Sequence, residues 1–484
     1  MKHGRVVVRS VACLALLGFA SAPLRAQQCD PKPAIDYAAA PGDDAITLRA
    51  KAIHARILTL DTHVDIEPRN FLPDSANYCH RLAGTQVDLT KMEAGGLDAI
   101  FFSIYVGQGA LDSAGFARAY AVDTAKFNSV HRLAEVFAPD RIAIAYTAAD
   151  ARRIFASGKK VAFMGVENGY GIANDITRVK EFYDRGGRYM SLAHNGHNQL
   201  SDSNTGEADG QWKWNGLSPL GKQVIAEMNR LGMMIDISHP SKPSMMQTLA
   251  LTKAPIIASH SGVRAICDNS RNLDDEQLKA LAKNGGVVQI VAYYGFISCN
   301  AKADSARQQA QSDLMREYAI VAPAAGGRGG RGAGGGRGAR PAADPASVAT
   351  CRPLVADAAS RALTAAVDSQ LALQPKARRD EYAAKLQEIV RRFPPTTTGT
   401  VQDFVDHIDY AVKLIGLEHV GISSDFDGGG GLLGYNCALD AVNVTRELVR
   451  RGYTEEQIGK IWSGNLLRVL GEVEQVAKRL QAKR

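Results

Sequence analysis

Eight short apolar runs punctuate the chain, and stretches with helical periodicity separate them. In order they are ARILTLDTHVD, LDAIFFSIYV, KVAFMGVENG, RYMSLAH, MMIDISH, PIIASH, GGVVQIVAYY and EHVGISSDFDG. Near-continuous apolar runs mark strands covered on both faces, and their alternation with helices predicts a parallel sheet. Eight such units predict a closed (β/α)8 TIM barrel of the α/β class, whose chemistry sits at the C-terminal ends of the strands. Six of the runs end in residue types that bind metal or move protons: His63 and Asp65, Glu167, His194, His239, His260, and Asp425. The fold is expected to gather what the sequence scatters.

One long interruption follows the seventh run, between Cys299 and about Phe393. Its first half, residues 321–350, is rich in Gly, Arg and Ala and has almost nothing to bury, so it is expected to be disordered. Its second half, from Arg352 to Phe393, carries Leu and Val at helical spacing and predicts one or two exposed helices ending at Pro394 and Pro395. The segment VQDFVDHIDYAVKLIGLEHV then restarts an amphipathic helix leading into the eighth strand.

The first 26 residues run from Lys2, Arg5 and Arg9 through VACLALLGFASA to Ala26, the order of a secretory signal peptide. The apolar stretch is too short to span a bilayer comfortably, and no other spanning segment is expected. The rest, 27–484, is expected to be one barrel domain, exported to the periplasm or secreted. Charge changes with this division. The chain carries +7, but Lys2, Arg5, Arg9 and Arg25 belong to the leader, and Arg328, Arg331, Arg337 and Arg340 to the insertion. Without these eight cations the body has a net charge of −1. A near-neutral body argues against nucleic acid as a partner. Cys29, Cys79, Cys267, Cys299, Cys351 and Cys437 remain after the leader; they are even in number and form no CxxC pair, which favours disulfides over a thiolate zinc site.

The strand ends set the chemistry. In DTHVD, residues two apart face the same side of a strand, so His63 and Asp65 project together into the barrel mouth. Glu167, flanked by Gly165 and Gly169, is a carboxylate costly to bury without a partner. His239 and His260 end consecutive strands, which places them about 5–7 Å apart. With Glu167 these make five ligand-type residues, more than one catalytic zinc with an open position uses. Two zinc ions bridged by Glu167, with a water between them as nucleophile, fit better. Asp425 is then free to move a proton, with Asp427 as the second candidate.

At this point the combination DTHVD, GVENG, AHNGHNQLSDS, GLSPLGKQVIAEMNRLGMMIDISH, SHSGVRAICDNSRNLDDEQL and HIDYAVKLIGLEHVGISSDFDG resembles the membrane (renal) dipeptidase family. The blocks keep the family's order from about residue 50 to 475, the insertion excepted. The resemblance implies a binuclear zinc dipeptidase of the amidohydrolase superfamily. It implies His63 and Asp65 as ligands of one zinc, Glu167 as bridge, and His239 and His260 as ligands of the other. It further implies that His194 contacts substrate and developing oxyanion, Arg271 grips the substrate's terminal carboxylate, and Asp425 shuttles the proton. Relatives also carry cysteines in the blocks of Cys267 and Cys299, which flank the sixth and seventh strand units, so these two are expected to pair. Cys29, Cys79, Cys351 and Cys437 are left unpaired at this stage.

Three departures stand out. Asn168 follows Glu167 where many relatives have Gly-Gly, Gly196 stands where vertebrate members carry a cysteine, and the Gly/Arg insertion is foreign to the pattern. The competing readings are hydrolysis of another carboxylate-bearing amide, such as an N-acyl amino acid or a β-lactam, and a binding protein on a disabled barrel. Retention of every expected ligand argues against the last. Oligomeric state stays open, a homodimer included.

Overall fold

The computed structural model describes residues 1, 29–33, 37, 39–73, 75–299, 301–320, 367, 369–393 and 399–483. The expected leader beyond Met1, the insertion's 321–350 tract and Cys351 lie outside them.

The strands, in chain order, are β1 (Leu60–Asp65), β2 (Ala99–Tyr105), β3 (Ile142–Ile144), β4 (Lys160–Glu167), β5 (Gly187–Ser191), β6 (Met234–Asp236), β7 (Ile257–Ser261), β8 (Val287–Val291) and β9 (Val420–Ser423). All are paired in parallel, in the order β1-β2-β4-β5-β6-β7-β8-β9, with β3 off this path against β4. The seam closes where the Asp425 amide donates to the His63 carbonyl at 3.1 Å and the Asp65 amide to the Phe426 carbonyl at 2.9 Å. The eight expected runs are therefore the eight staves of an α/β barrel. β3 was not expected. It pairs with Lys160–Ala162 of β4, on the edge that β5 joins higher up at Met164–Val166. Three residues are too few to register as a strand in a periodicity reading.

Helices cover the outside, and their ends follow the local sequence. Asp112 caps Ser113–Arg132 by accepting from the Gly115 amide. Thr400 and Asp403 form a reciprocal capping box on Val401–Ile415, the amphipathic helix expected before the last strand. Inside, the rings of Phe101 and Phe163 stack at 4.5 Å and those of Phe101 and Tyr189 at 5.2 Å. The two-residue period of a strand then lifts Ser103 and Tyr105 above Phe101, and Glu167 above Phe163. An apolar floor thus underlies a polar mouth.

After β8 the described insertion comprises helices Tyr294–Ile297, Ala301–Glu317 and Lys376–Arg392. The third lies where helix was expected. Ala301–Glu317 was missed, because it is rich in Ala, Gln and charge and offers little apolar period. Leu314, Tyr318, Ile320 and Tyr382 give this insertion a small core of its own. Cys267 pairs with Cys299 as expected, and Cys29 pairs with Cys79; Cys437 is disulfide-bonded as well. No helix among the described residues is long and apolar enough to cross a membrane.

Candidate active site

Glu167, the last residue of β4, is the hub of the barrel mouth. Its Oε2 faces His63 Nε2 at 3.2 Å and accepts from the Ser103 hydroxyl at 3.2 Å. Its Oε1 faces His239 Nε2 at 3.0 Å, and His260 and His194 Nε2 each at 3.5 Å. His63 Nε2 also stands 4.0 Å from Asp65 Oδ2 and 3.9 Å from Asp425 Oδ1. The rings of His239 and His260 are 5.1 Å apart between centroids, within the spacing expected of neighbouring strands. Seven of the eight residues singled out from the sequence thus meet around one carboxylate or beside it. The eighth, Arg271, is buried against the chain at Ser238 and His260. Its guanidinium donates to the Ser238 carbonyl, to the Ser261 hydroxyl at 3.3 Å and to the His260 carbonyl at 3.1 Å.

Burial and charge set opposed protonation states here. Burial works to raise the Glu167 carboxyl, but His63 and His194, with hydrogen bonds from His239 and His260, hold it well below the usual range. Burial works against a charged His63, yet Glu167, Asp65 and Asp425 raise it to about 10. His239 and His260 fall well below the ordinary imidazole value, through burial first and then neighbouring cations. Asp425 is pushed up to about 8 by burial, with Asp65 and Glu167 adding to it and His63 and Arg271 opposing.

The donor set suits metal. His239 and His260 direct Nε2 atoms 3.1 Å apart toward the same carboxylate oxygen; as neutral imidazoles they offer two lone pairs to a common point. Behind His260, the Ser259 hydroxyl donates to Asp236 Oδ2 at 2.6 Å and meets His260 Nδ1 at 2.8 Å. That partner leaves Nε2 as the free donor, the usual support behind a metal-bound histidine. His239 Nδ1 and Asp65 Oδ1 are buried without a hydrogen bond. Among the described residues, three clusters satisfy ligand spacing: His63, Asp65 and Glu167; Glu167, His194 and His239; and His63, His260 and Asp425.

Asp425 and Asp427 separate cleanly. Asp427 accepts the Gln86 amide at 2.8 Å and the Val87 amide at 3.3 Å, so it fastens a loop, while Asp425 faces His63. Asn168, beside the hub, has φ +77°, a left-handed conformation that Gly or Asn adopts most readily. Its amide donates to the Val106 carbonyl at 3.0 Å and its oxygen accepts from Asn198 Nδ2 at 3.0 Å. The sequence reading missed several neighbours. Tyr189 sits in the run RYMSLAH, and Ser103 and Tyr105 share one face of β2, so alternation alone would have placed them. Lys126, whose Nζ is 3.9 Å from Asp65 Oδ1 and 5.1 Å over the Tyr105 ring, comes from a helix and left no such signal.

A sequence profile of the membrane dipeptidases, peptidase family M19, matches residues 47–484. Dipeptidase aclJ of Aspergillus oryzae is 28% identical over 400 residues, covering 82% of this chain and 72% of that protein. Among solved structures, the probable dipeptidase PvdM of Pseudomonas aeruginosa is 28% identical with a TM-score of 0.66, covering 89% of this chain and 99% of its own. A metallopeptidase from Rhodobacter sphaeroides, liganded with a phosphinate mimic of the dipeptide L-Ala-D-Ala, shares the fold at 19% identity and a TM-score of 0.58, over 86% of this chain and 99% of that one. The profile runs through every strand of the barrel and every residue of the Glu167 cluster, and on that ground this metallopeptidase belongs to the membrane dipeptidase family.

Proposed function

We propose that the chain is an exported dipeptidase using two zinc ions, one held by His63, Asp65 and Glu167 and the other by Glu167, His239 and His260. The observation that carries this reading is Glu167, with each carboxylate oxygen facing a different histidine set. Bound zinc would polarise the scissile carbonyl and acidify the attacking water. Asp425, 3.9 Å from His63 Nε2, accepts the proton of that water and returns it to the leaving amine. His194, whose Nε2 is 3.5 Å from Glu167 Oε1, donates to the carbonyl oxygen as negative charge develops. Arg271 receives the substrate's C-terminal carboxylate, for which its planar fork is suited. Anchoring that carboxylate at Arg271 would limit the substrate to one residue beyond the cut bond.

Both Cys29–Cys79 and Cys267–Cys299 support export, because such bonds persist in oxidising compartments. The binding of a dipeptide mimic by the Rhodobacter relative supports a two-residue substrate. The test is a panel of dipeptides, tripeptides, N-acyl amino acids and a β-lactam, with zinc measured on the same sample. Dipeptides are expected to be cleaved fastest, at two zinc per chain. Faster turnover of N-acyl amino acids would move the assignment to another amide, and at most one bound metal would end the binuclear reading.

A further inference from the structure

We propose that Tyr189 is a positioning residue that locks His63 in the tautomer with Nδ1 protonated and Nε2 aimed at Glu167. This rests on the metal assignment above and extends it to a residue outside the ligand set.

The donors around the phenol set the tautomer. The Tyr189 hydroxyl lies 3.1 Å from the Thr62 carbonyl oxygen and 2.9 Å from His63 Nδ1. A carbonyl oxygen only accepts, and the neighbouring Ser259 hydroxyl gives its own proton to Asp236, so the phenolic proton points to these acceptors and away from His63. The phenolic oxygen is then an acceptor toward His63, and Nδ1 must carry the proton. That leaves Nε2 as the nitrogen available to the hub, 3.2 Å from Glu167 Oε2. The backbone is cut to admit this ring. A Cβ on Gly165 would fall 1.9 Å from the Tyr189 ring, so only glycine at that point of β4 lets the phenol lie beneath Glu167. Phe101 stacks on the same ring at 5.2 Å, which fixes its plane. Tyr189 is fully buried, so its effect passes through His63.

The experiment compares wild type with Tyr189→Phe, which keeps the ring and deletes the hydroxyl. Chelator competition should show one of the two zinc ions bound about 10- to 100-fold more weakly in the variant, with the other unchanged, as for loss of other outer partners of metal-bound histidines. Excess zinc should restore kcat with KM unaltered. Selective 15N-histidine labelling of both proteins supplies the second reading. His63 should show a protected Nδ1 proton in wild type, with or without zinc, and faster exchange in the variant. Both zinc affinities unchanged within twofold, or identical His63 Nδ1 signals in the two proteins, would overturn the proposal. Wild-type protein that binds no second zinc while the Nδ1 signals differ would instead retire the binuclear reading and leave the tyrosine's role intact.

Discussion

Replacing Arg271 by alanine separates the two jobs its guanidinium can do. It is 5% exposed and already donates to the Ser238 carbonyl, the Ser261 hydroxyl and the His260 carbonyl. Truncation leaves the two buried carbonyls short of a donor, costing about 1–3 kcal/mol of stability. It also removes the proposed charge-assisted contact with the substrate carboxylate, worth roughly 2–4 kcal/mol, or about 30- to 1000-fold in kcat/KM. Stability loss falls on every substrate alike, whereas carboxylate recognition does not. The assay is therefore a cycle: wild type and Arg271→Ala, each against a dipeptide and its C-terminal amide. Amidation should cost wild type as much as the mutation does and cost the mutant little more. Equal cleavage of acid and amide by wild type, or equal loss on both substrates in the mutant, would refute the carboxylate role and leave the size limit without a cause.

Glu167→Gln should release more zinc than Asp425→Asn by elemental analysis, since the amide weakens both proposed subsites and Asp425 belongs to neither. Asp425→Asn should lower kcat/KM by about 100-fold or more, yet stabilise the metal-free protein. Burial holds the folded carboxyl at about 8, above its unfolded value near 4, so the wild type loses stability as pH rises through that window and the amide does not. Denaturation at pH 5 and pH 8 should show the variant's advantage growing with pH, and a constant difference would contradict the reading. His63, raised to about 10 by Glu167, Asp65 and Asp425 against its burial, is protonated at pH 7.5 in the metal-free protein. Zinc uptake should expel that proton, and titration heats that do not depend on buffer ionisation enthalpy would count against it. Asn168→Ala should lower stability by about 2–3 kcal/mol through the positive φ and the lost amide bonds, and Asn168→Gly by less, as read from thermal unfolding.

The barrel was legible because each stave is an apolar run, and six of the eight stop at residues to which the proposed chemistry falls. His63, Glu167, His239, His260 and Asp425 all follow such runs. Arg271 did not declare itself by pattern; a loop arginine reads as surface charge, and only family resemblance singled it out. Tyr189 and the Asp236–Ser259 pair were hidden for another reason. Their roles arise from hydrogen bonds between strands far apart in sequence, such as the 126 positions between His63 and Tyr189. Alternation assigns a face but names no partner across the barrel. Asp427 shows the converse error waiting in a motif: it sits two residues from Asp425 in DFDG, and only the amides of Gln86 and Val87 reveal its structural job.

The seam between β1 and β9 also fixes when in the molecule's life the site can exist. His63 and Ser424 are 361 positions apart, and at roughly 5–20 residues per second of synthesis the first stave waits about 20–70 s for the last. During that interval Asp65 and Glu167 have neither Asp425 beside them nor a closed wall behind them. A centre that needs this closed wall is acquired only once the chain has been made past Phe426. A chain truncated before β9 should fail to hold the proposed zinc pair, which would make metal content a readout of barrel closure.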